Sequence, residues 1–255
     1  MSIISFIIAI LPVFLIGLFI YMRDKIKDPC KFLFKLFCLG ILSSIPTIIV
    51  GLLLDNFFPN PDEMNFIQLF IYVFGSIALV EEFFKWIFLY KFSYNHQEFD
   101  STYDMIVYSV FVSLGFACFE NILYVLAYGT SAGIFRAVSA VPGHACFGII
   151  MGMYLSIAKI HDIKGNINLK NKYKMLSLFV PVILHGIYDF CAINGGIVFV
   201  IFFFVFILLV DIYCIVKVLE LSHNSFKFKY KNKYCTNCGV LVNTNYCTNC
   251  GNKNE

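Results

Sequence analysis

Apolar residues run along this chain in long blocks, not in the alternating or one-sided patterns of water-soluble strands and helices. A helix that crosses a bilayer needs about 20 mostly apolar residues. Seven blocks meet that length: residues 2–22, 34–54, 66–90, 104–128, 134–158, 175–193 and 197–221. The last contains the run from Ile197 to Val210, which has no charge. Transmembrane β-strands need alternating segments of about ten residues, and these blocks are longer and apolar on every face. The first block has no Lys or Arg before it and no A-x-A-like site after it. It therefore reads as a span that stays in the protein and not as a signal peptide. The pattern predicts an all-α, polytopic membrane bundle of about seven transmembrane helices.

Cations between the blocks give that bundle a direction. Arg23, Lys25, Lys27, Lys31 and Lys35 follow the first block, Lys91 the third, and Lys159, Lys164, Lys170, Lys172 and Lys174 the fifth. The connections after the second and sixth blocks carry none, and the tail carries Lys227, Lys229, Lys231, Lys233 and Lys253. Cytoplasmic loops are the ones enriched in Lys and Arg. The expected cell-membrane topology has the N-terminus outside and the C-terminus in the cytoplasm. Lys85, inside the third block, and Arg136, at the outer start of the fifth, do not fit a cytoplasmic loop.

Composition narrows the class further. Hydrophobic residues make up 60% and charged residues 14%, against about 45–50% and about 25% in soluble domains. An ordinary soluble enzyme and a disordered chain are excluded. The net charge of +3 is too small to imply a nucleic-acid partner. Ten Cys fall into two groups. Cys30, Cys38, Cys118, Cys146, Cys191 and Cys214 are scattered in or beside apolar blocks, where Cys usually acts as a small hydrophobe. Cys235, Cys238, Cys247 and Cys250 cluster in the tail, where Tyr-Cys-Thr-Asn-Cys-Gly occurs twice, beginning at Tyr234 and at Tyr246. Two C-x2-C knuckles supply four thiolates for tetrahedral Zn²⁺. The expected reducing side of the membrane disfavours disulfides, and so short a polar unit needs a staple to fold. The tail is read as a structural zinc ribbon.

A charge in mid-membrane costs roughly 2.5–3.5 kcal/mol on insertion scales, so each needs a reason. Glu81, Glu82 and Lys85 lie in the third block, Glu120 and Asn121 in the fourth, His144 in the fifth, His185 and Asp189 in the sixth, and Asp211 in the seventh. Lys85 shares a helix face with Glu81 and with Glu82, and His185 shares one with Asp189. Singly, each group has a structural explanation: an intrahelical ion pair, a satisfied core His, or an interhelical hydrogen bond. Asp211 is read mainly as structural. Together, acids and imidazoles on four consecutive blocks can activate water and hold an oxyanion.

The same residues carry a resemblance. Val80-Glu81-Glu82-Phe-Phe-Lys85 matches E-E-x-x-K, and Gly115 to Tyr124 matches G-F-x-x-x-E-N-x-x-Y. Arg136 with Pro142-Gly143-His144-Ala145, and His185-Gly186-Ile-Tyr-Asp189, match R…PGHA and H-G-x-x-[DN]. In order and spacing these resemble the PrsW family of bacterial intramembrane proteases, distant relatives of CAAX prenyl endopeptidases and bacteriocin-processing enzymes. The resemblance covers roughly residues 66–192 and leaves out the tail. It implies a membrane peptidase that clips membrane-anchored regulators such as anti-sigma factors. It implies that Glu81, Glu82, His144, His185 and Asp189 are catalytic, with Lys85, Glu120, Asn121 and Arg136 supporting them. Glu81 or Glu82 would be the base that activates water, and His144 would help position or deprotonate that water. His185 and Asp189 would form the oxyanion side. Asp189 stands where related CAAX enzymes favour Asn, and an ionised Asp cannot donate to an oxyanion, so it would orient His185 or be protonated. With no H-E-x-x-H helix, a metal-free glutamate mechanism is the simpler expectation, and a catalytic metal stays open.

The expected organisation is a membrane peptidase domain over residues 1–221, a basic linker over 222–233 and the zinc ribbon over 234–255. Expected partners are a membrane-anchored protein substrate, the bilayer and a cytoplasmic protein that docks on the ribbon. Two other readings remain. Buried Glu, His and Asp also build the proton relays of ion-coupled transporters, and a scaffold would use the spans only to display the ribbon.

Overall fold

A computed structural model describes residues 3–228, 233–235, 237–238, 241–242 and 249–252. The helices are α1 (Ile3–Arg23), α2 (Cys30–Asp55), α3 (Phe66–Ile71), α4 (Leu79–Ser93), α5 (Asp104–Tyr128), α6 (Thr130–Val138), α7 (Ala140–Ile163), α8 (Ile167–Asn194) and α9 (Ile197–His223). Among the described residues, six stretches are long and apolar enough to cross a membrane: Cys30–Asp55, Phe66–Ser93, Asp104–Tyr128, Thr130–Ile163, Ile167–Asn194 and Ile197–His223. The expected first span is α1, an apolar helix of 21 residues, which at 1.5 Å per residue extends about 31 Å. The chain is a multi-pass, all-α membrane bundle.

Three predicted boundaries move. The third span is not one regular helix: α3 and α4 are joined by a π-helical segment, Tyr72–Ala78. Asn65 starts α3 with a capping box in which Gln68 N donates to Asn65 Oδ1 at 2.9 Å and Asn65 N donates to Gln68 Oε1 at 3.0 Å, so two otherwise orphaned donors are satisfied. The fifth block breaks at Ser139, whose backbone angles (φ −122°, ψ −66°) end α6 and begin α7. The sixth begins eight residues earlier than the apolar pattern indicated, at Ile167. Asn166 caps it by accepting from Leu169 N at 3.1 Å, and Lys170, Lys172 and Lys174 lie on the helix and not in a loop.

The core sits around α5, which packs against α1, α2, α4, α6 and α7. Lipid tails are as apolar as Leu, so helix association in a bilayer depends on close approach through small residues. A Cβ on Gly115 would lie 2.0 Å from Phe37 O, and one on Gly40 would lie 2.0 Å from Val112 O. The α2 and α5 backbones therefore touch where the two glycines meet. Gly115→Leu should force these helices apart and destabilise the protein by about 1–3 kcal/mol or more, measured as a lower midpoint of thermal unfolding in detergent.

At one end of the bundle the tail is stitched to the α4–α5 connection. Thr102 N donates to Phe226 O at 3.1 Å and Phe228 N to Asp100 O at 2.7 Å. Lys227 ion-pairs with Asp100 at 2.7 Å. Beyond this, β1 (Lys233–Tyr234) pairs antiparallel with β2 (Leu241–Val242).

Candidate active site

Four spans and the short helix α6 bring polar side chains to one cavity of about 380 Å³. Its wall carries Glu81 from α4, Glu120 from α5, Arg136 from α6, His144 from α7, and His185 and Asp189 from α8. The π segment leads straight into the glutamates: Leu79 N donates to Phe74 O, five residues back. Phe74 packs over Gly186, where a Cβ would lie 2.4 Å from its ring. The glycine after His185 thus leaves room for the turn that delivers Glu81 and Glu82. Trp86 Nε1 donates to Ser177 Oγ at 2.9 Å and ties α4 to α8 one turn further on.

The motif glutamates take different places. Glu82 is 0% exposed, and its Oε1 accepts from Lys85 Nζ at 2.6 Å and faces His185 Nδ1 at 2.8 Å. Glu81 lines the cavity, with its Oε2 3.9 Å from Lys85 Nζ and 3.8 Å from His185 Nε2. Each glutamate has a buried Oε2 with no hydrogen-bond partner.

Lys85 is also 0% exposed. Its ammonium lies 4.5 Å from the centre of the Phe116 ring, a cation–π contact that offsets part of its lost hydration. It sits 3.0 Å from His144 Nδ1. An ammonium only donates, so His144 Nδ1 accepts and its proton lies on Nε2. That nitrogen donates to Glu120 Oε2 at 2.9 Å, and Arg136 Nη2 ion-pairs with the same oxygen at 2.7 Å. The Arg136 guanidinium lies 3.8 Å from the centre of the Tyr124 ring. His185 Nε2 lies 3.2 Å from Asp189 Oδ2. With Glu82 on its other nitrogen, both ring nitrogens face carboxylates. The His185 ring stacks on Phe147 at 5.0 Å.

The structure therefore connects Glu81, Glu82, Lys85, Glu120, Arg136, His144, His185 and Asp189 in one network. Glu120, which lies nearer the end of its span than Glu82 does to the start of its own, joins the network through Arg136 of α6 and His144 of α7. Asn121 is not brought there: its Nδ2 donates to Ala9 O in α1 at 3.1 Å. Asp211 accepts from Cys146 Sγ at 3.3 Å and is not on the cavity wall. Sequence reasoning missed Tyr124, Phe116 and Phe147. The first two stand inside a quoted motif, and Phe147 follows His144 at the i, i+3 spacing of one helix face.

In the tail, Cys235, Cys238 and Cys250 bring their sulfurs within 4.8 Å of one another, and Asn237 N donates to Cys235 Sγ at 3.4 Å. Cys247 lies outside the described residues.

Residues 28–211 match the family described as PrsW family intramembrane metalloprotease. Relatives called "Protease PrsW" include one from Oceanobacillus iheyensis, 43% identical over 172 residues, covering 68% of this chain and 75% of the relative. Another, from Halalkalibacterium halodurans, is 38% identical over 184 residues, with 71% and 80% covered. A third, from Bacillus subtilis, is 35% identical over 192 residues, with 74% and 84% covered. No solved structure matches. The match ends at Asp211, so the cysteine tail lies outside it. Helices, cavity and relatives agree, and the chain belongs to the PrsW family of intramembrane proteases.

Proposed function

We infer that the cavity hydrolyses a peptide bond of a membrane-anchored protein, a regulator of the anti-sigma-factor kind, beside or within the bilayer. The observation that carries this reading is the meeting of Glu81, His144 and His185 on one wall, with donor atoms within 4.8 Å of one another.

Glu81 is the motif glutamate that meets water. Its carboxylate takes a proton from the water as the oxygen attacks the carbonyl carbon, and returns it to the departing amide nitrogen. His144, with its Nε2 proton held by Glu120, sets the water's position. His185, held between Glu82 and Asp189, would turn its Nε2–H from Asp189 to the developing oxyanion. This gives Asp189 the orienting role that an ionised Asp can fill. Glu82 and Lys85 neutralise each other behind the wall, and the Arg136–Tyr124 pair fixes Glu120.

The donor set also fits a divalent metal. Glu81 offers an unpartnered oxygen, two imidazoles stand beside it, and Glu82 backs His185 in the carboxylate–histidine arrangement common behind metal ligands. Glu81, His144 and His185 would hold the ion once His144 gives up its bond to Lys85 or Glu120 and His185 its contact with Asp189, and the bound ion would lower the pKa of a coordinated water and polarise the carbonyl. Proteolysis by Cys235→Ser/Cys238→Ser protein, with and without a chelator, separates the two versions. Retained activity makes Glu81 a proton acceptor alone, and loss reversed by added metal makes it a ligand as well.

The functional test compares new N-termini of membrane proteins in cells expressing wild type or Glu81→Gln at equal abundance. Fragments specific to the wild type support proteolysis and name the substrates. Flux of protons or ions that depends on Glu81, with no such fragments, would overturn it in favour of transport.

The tail binds Zn²⁺ through Cys235, Cys238 and Cys250, with Cys247 as fourth ligand, and presents the ribbon to a cytoplasmic protein. The cation distribution supports a cytoplasmic tail and an external N-terminus. Purified full-length protein should carry one tightly held zinc per ribbon, and the Cys235→Ser/Cys238→Ser variant should lose it, measured by elemental analysis.

A further inference from the structure

Away from the cavity, at the end of the bundle where α1 meets α2 and α5 begins, three acids are buried together. Asp24, Asp28 and Asp104 are 3%, 6% and 1% exposed. One carboxylate oxygen from each lies within 4.8 Å of the others. Among the described residues none of the three is ion-paired. The nearby lysines make their close contacts elsewhere, although the charge of Lys27 reaches Asp24: Lys25 Nζ donates to His223 O at 2.6 Å, Lys27 Nζ to Tyr21 O, and Lys227 pairs with Asp100.

Hydrogen bonds satisfy only part of this cluster. Asp104 Oδ2 accepts from Asp100 N at 2.9 Å and Ser101 N at 2.7 Å, and its Oδ1 accepts from Ser101 Oγ. Asp28 Oδ1 accepts from Tyr108 OH at 2.5 Å, and Asp24 Oδ1 from Ile26 N at 3.0 Å. Among the described residues, Asp24 Oδ2 and Asp28 Oδ2 are buried with no donor, and the buried Tyr103 hydroxyl has no hydrogen-bond partner. Tyr103 directly precedes Asp104 in the chain. A buried carboxylate without a counter-charge is costly.

We propose that Asp24, Asp28 and Asp104 bind a hard divalent cation of the Ca²⁺, Mg²⁺ and Mn²⁺ class, with the Tyr103 hydroxyl at the edge of the site. All the donors are oxygens, which is the set such ions prefer over zinc-type metals. Ca²⁺ holds oxygens at about 2.3–2.6 Å, so opposite ligands stand roughly 4.6–5.2 Å apart, and the observed cluster fits within that span. The cation would supply the partner that Asp24 Oδ2 and Asp28 Oδ2 lack. It would clamp the α1–α2 connection to the start of α5.

The test titrates Mn²⁺ into full-length protein in detergent, followed by electron paramagnetic resonance, in a Glu81→Gln background that disables the cavity's own acidic cluster. One bound Mn²⁺, displaced by Ca²⁺ or Mg²⁺ and weakened at least tenfold by added Asp28→Asn or Asp24→Asn, is the expected result. Mn²⁺ binding equal with and without these substitutions, or none at all, overturns the proposal. If the Asn variants are not monodisperse, Tb³⁺ luminescence on the Glu81→Gln protein replaces them. Emission sensitised by Tyr103 and Tyr108, lost on adding Ca²⁺ and reduced by Tyr103→Phe, supports the site. No emission, or emission indifferent to Ca²⁺, refutes it.

Discussion

Glu81→Gln lowers proteolysis by about 10²–10⁴-fold, the usual worth of a positioned proton acceptor, and leaves the protein's abundance in the membrane at the wild-type level. Gln keeps the shape of the side chain but cannot take a proton from water. Glu81 stands on the cavity wall, at 3.9 Å from Lys85 and 3.8 Å from His185, so its charge holds little else in place. Glu82→Gln behaves differently. It removes the carboxylate that accepts from Lys85 at 2.6 Å and backs His185 at 2.8 Å, so activity and accumulation fall together. Cleavage of a reporter substrate, normalised to the amount of inserted enzyme, distinguishes the two. Equal normalised activities for Glu81→Gln and wild type would remove Glu81 from the reaction.

Lys85→Met destabilises the folded protein by about 3–5 kcal/mol, the cost of leaving one member of a buried ion pair alone. Glu82 would keep His185 but lose its shortest contact, and His144 Nδ1 would lose its donor. Met restores most of the volume over Phe116, so the effect reports charge and not a cavity. Adding Glu82→Gln to Lys85→Met should recover part of the loss, because the orphaned charge goes with it. The double-mutant cycle, read as thermal unfolding midpoints in detergent, gives the coupling. Simple additivity would mean that the two side chains are stabilised independently.

The polar cluster was legible because ionisable groups in long apolar blocks are expensive and therefore few. Lys85 and Arg136 stood out as cations that broke the loop pattern, and both prove to be ion-paired in the network. The division of labour between Glu81 and Glu82 was not legible. Adjacent residues on a helix differ by about 100° in direction, and which one faces the cavity depends on how the preceding helix is phased. That phase is set by the Tyr72–Ala78 segment, whose five-residue hydrogen-bond step is marked only by the pair Gly75-Ser76 in an otherwise apolar stretch. The break at Ser139 left one mark: Pro142 has no N–H to donate to Val138 O, four residues back, but apolar residues on both sides carry the pattern through it. Asn121 illustrates the converse. It follows Glu120 in a shared motif, yet it faces α1, because helix geometry sends neighbours to different sides.

The Tyr72–Ala78 segment is also a stored spare residue. A deletion inside an apolar membrane helix ordinarily costs stability, since it rotates everything beyond it by about 100°. Here a one-residue deletion would convert the wide turn into an ordinary α-helix, with a better-bonded backbone. The two halves of the span would keep nearly the phase they have now, because the wide turn absorbs about one residue's worth of rotation. Glu81 would stay at the cavity, and the change would be confined to the turn itself, where Phe74 packs over Gly186. Among close variants of this sequence, a one-residue shortening should therefore be tolerated within Tyr72–Ala78 and not elsewhere in the span.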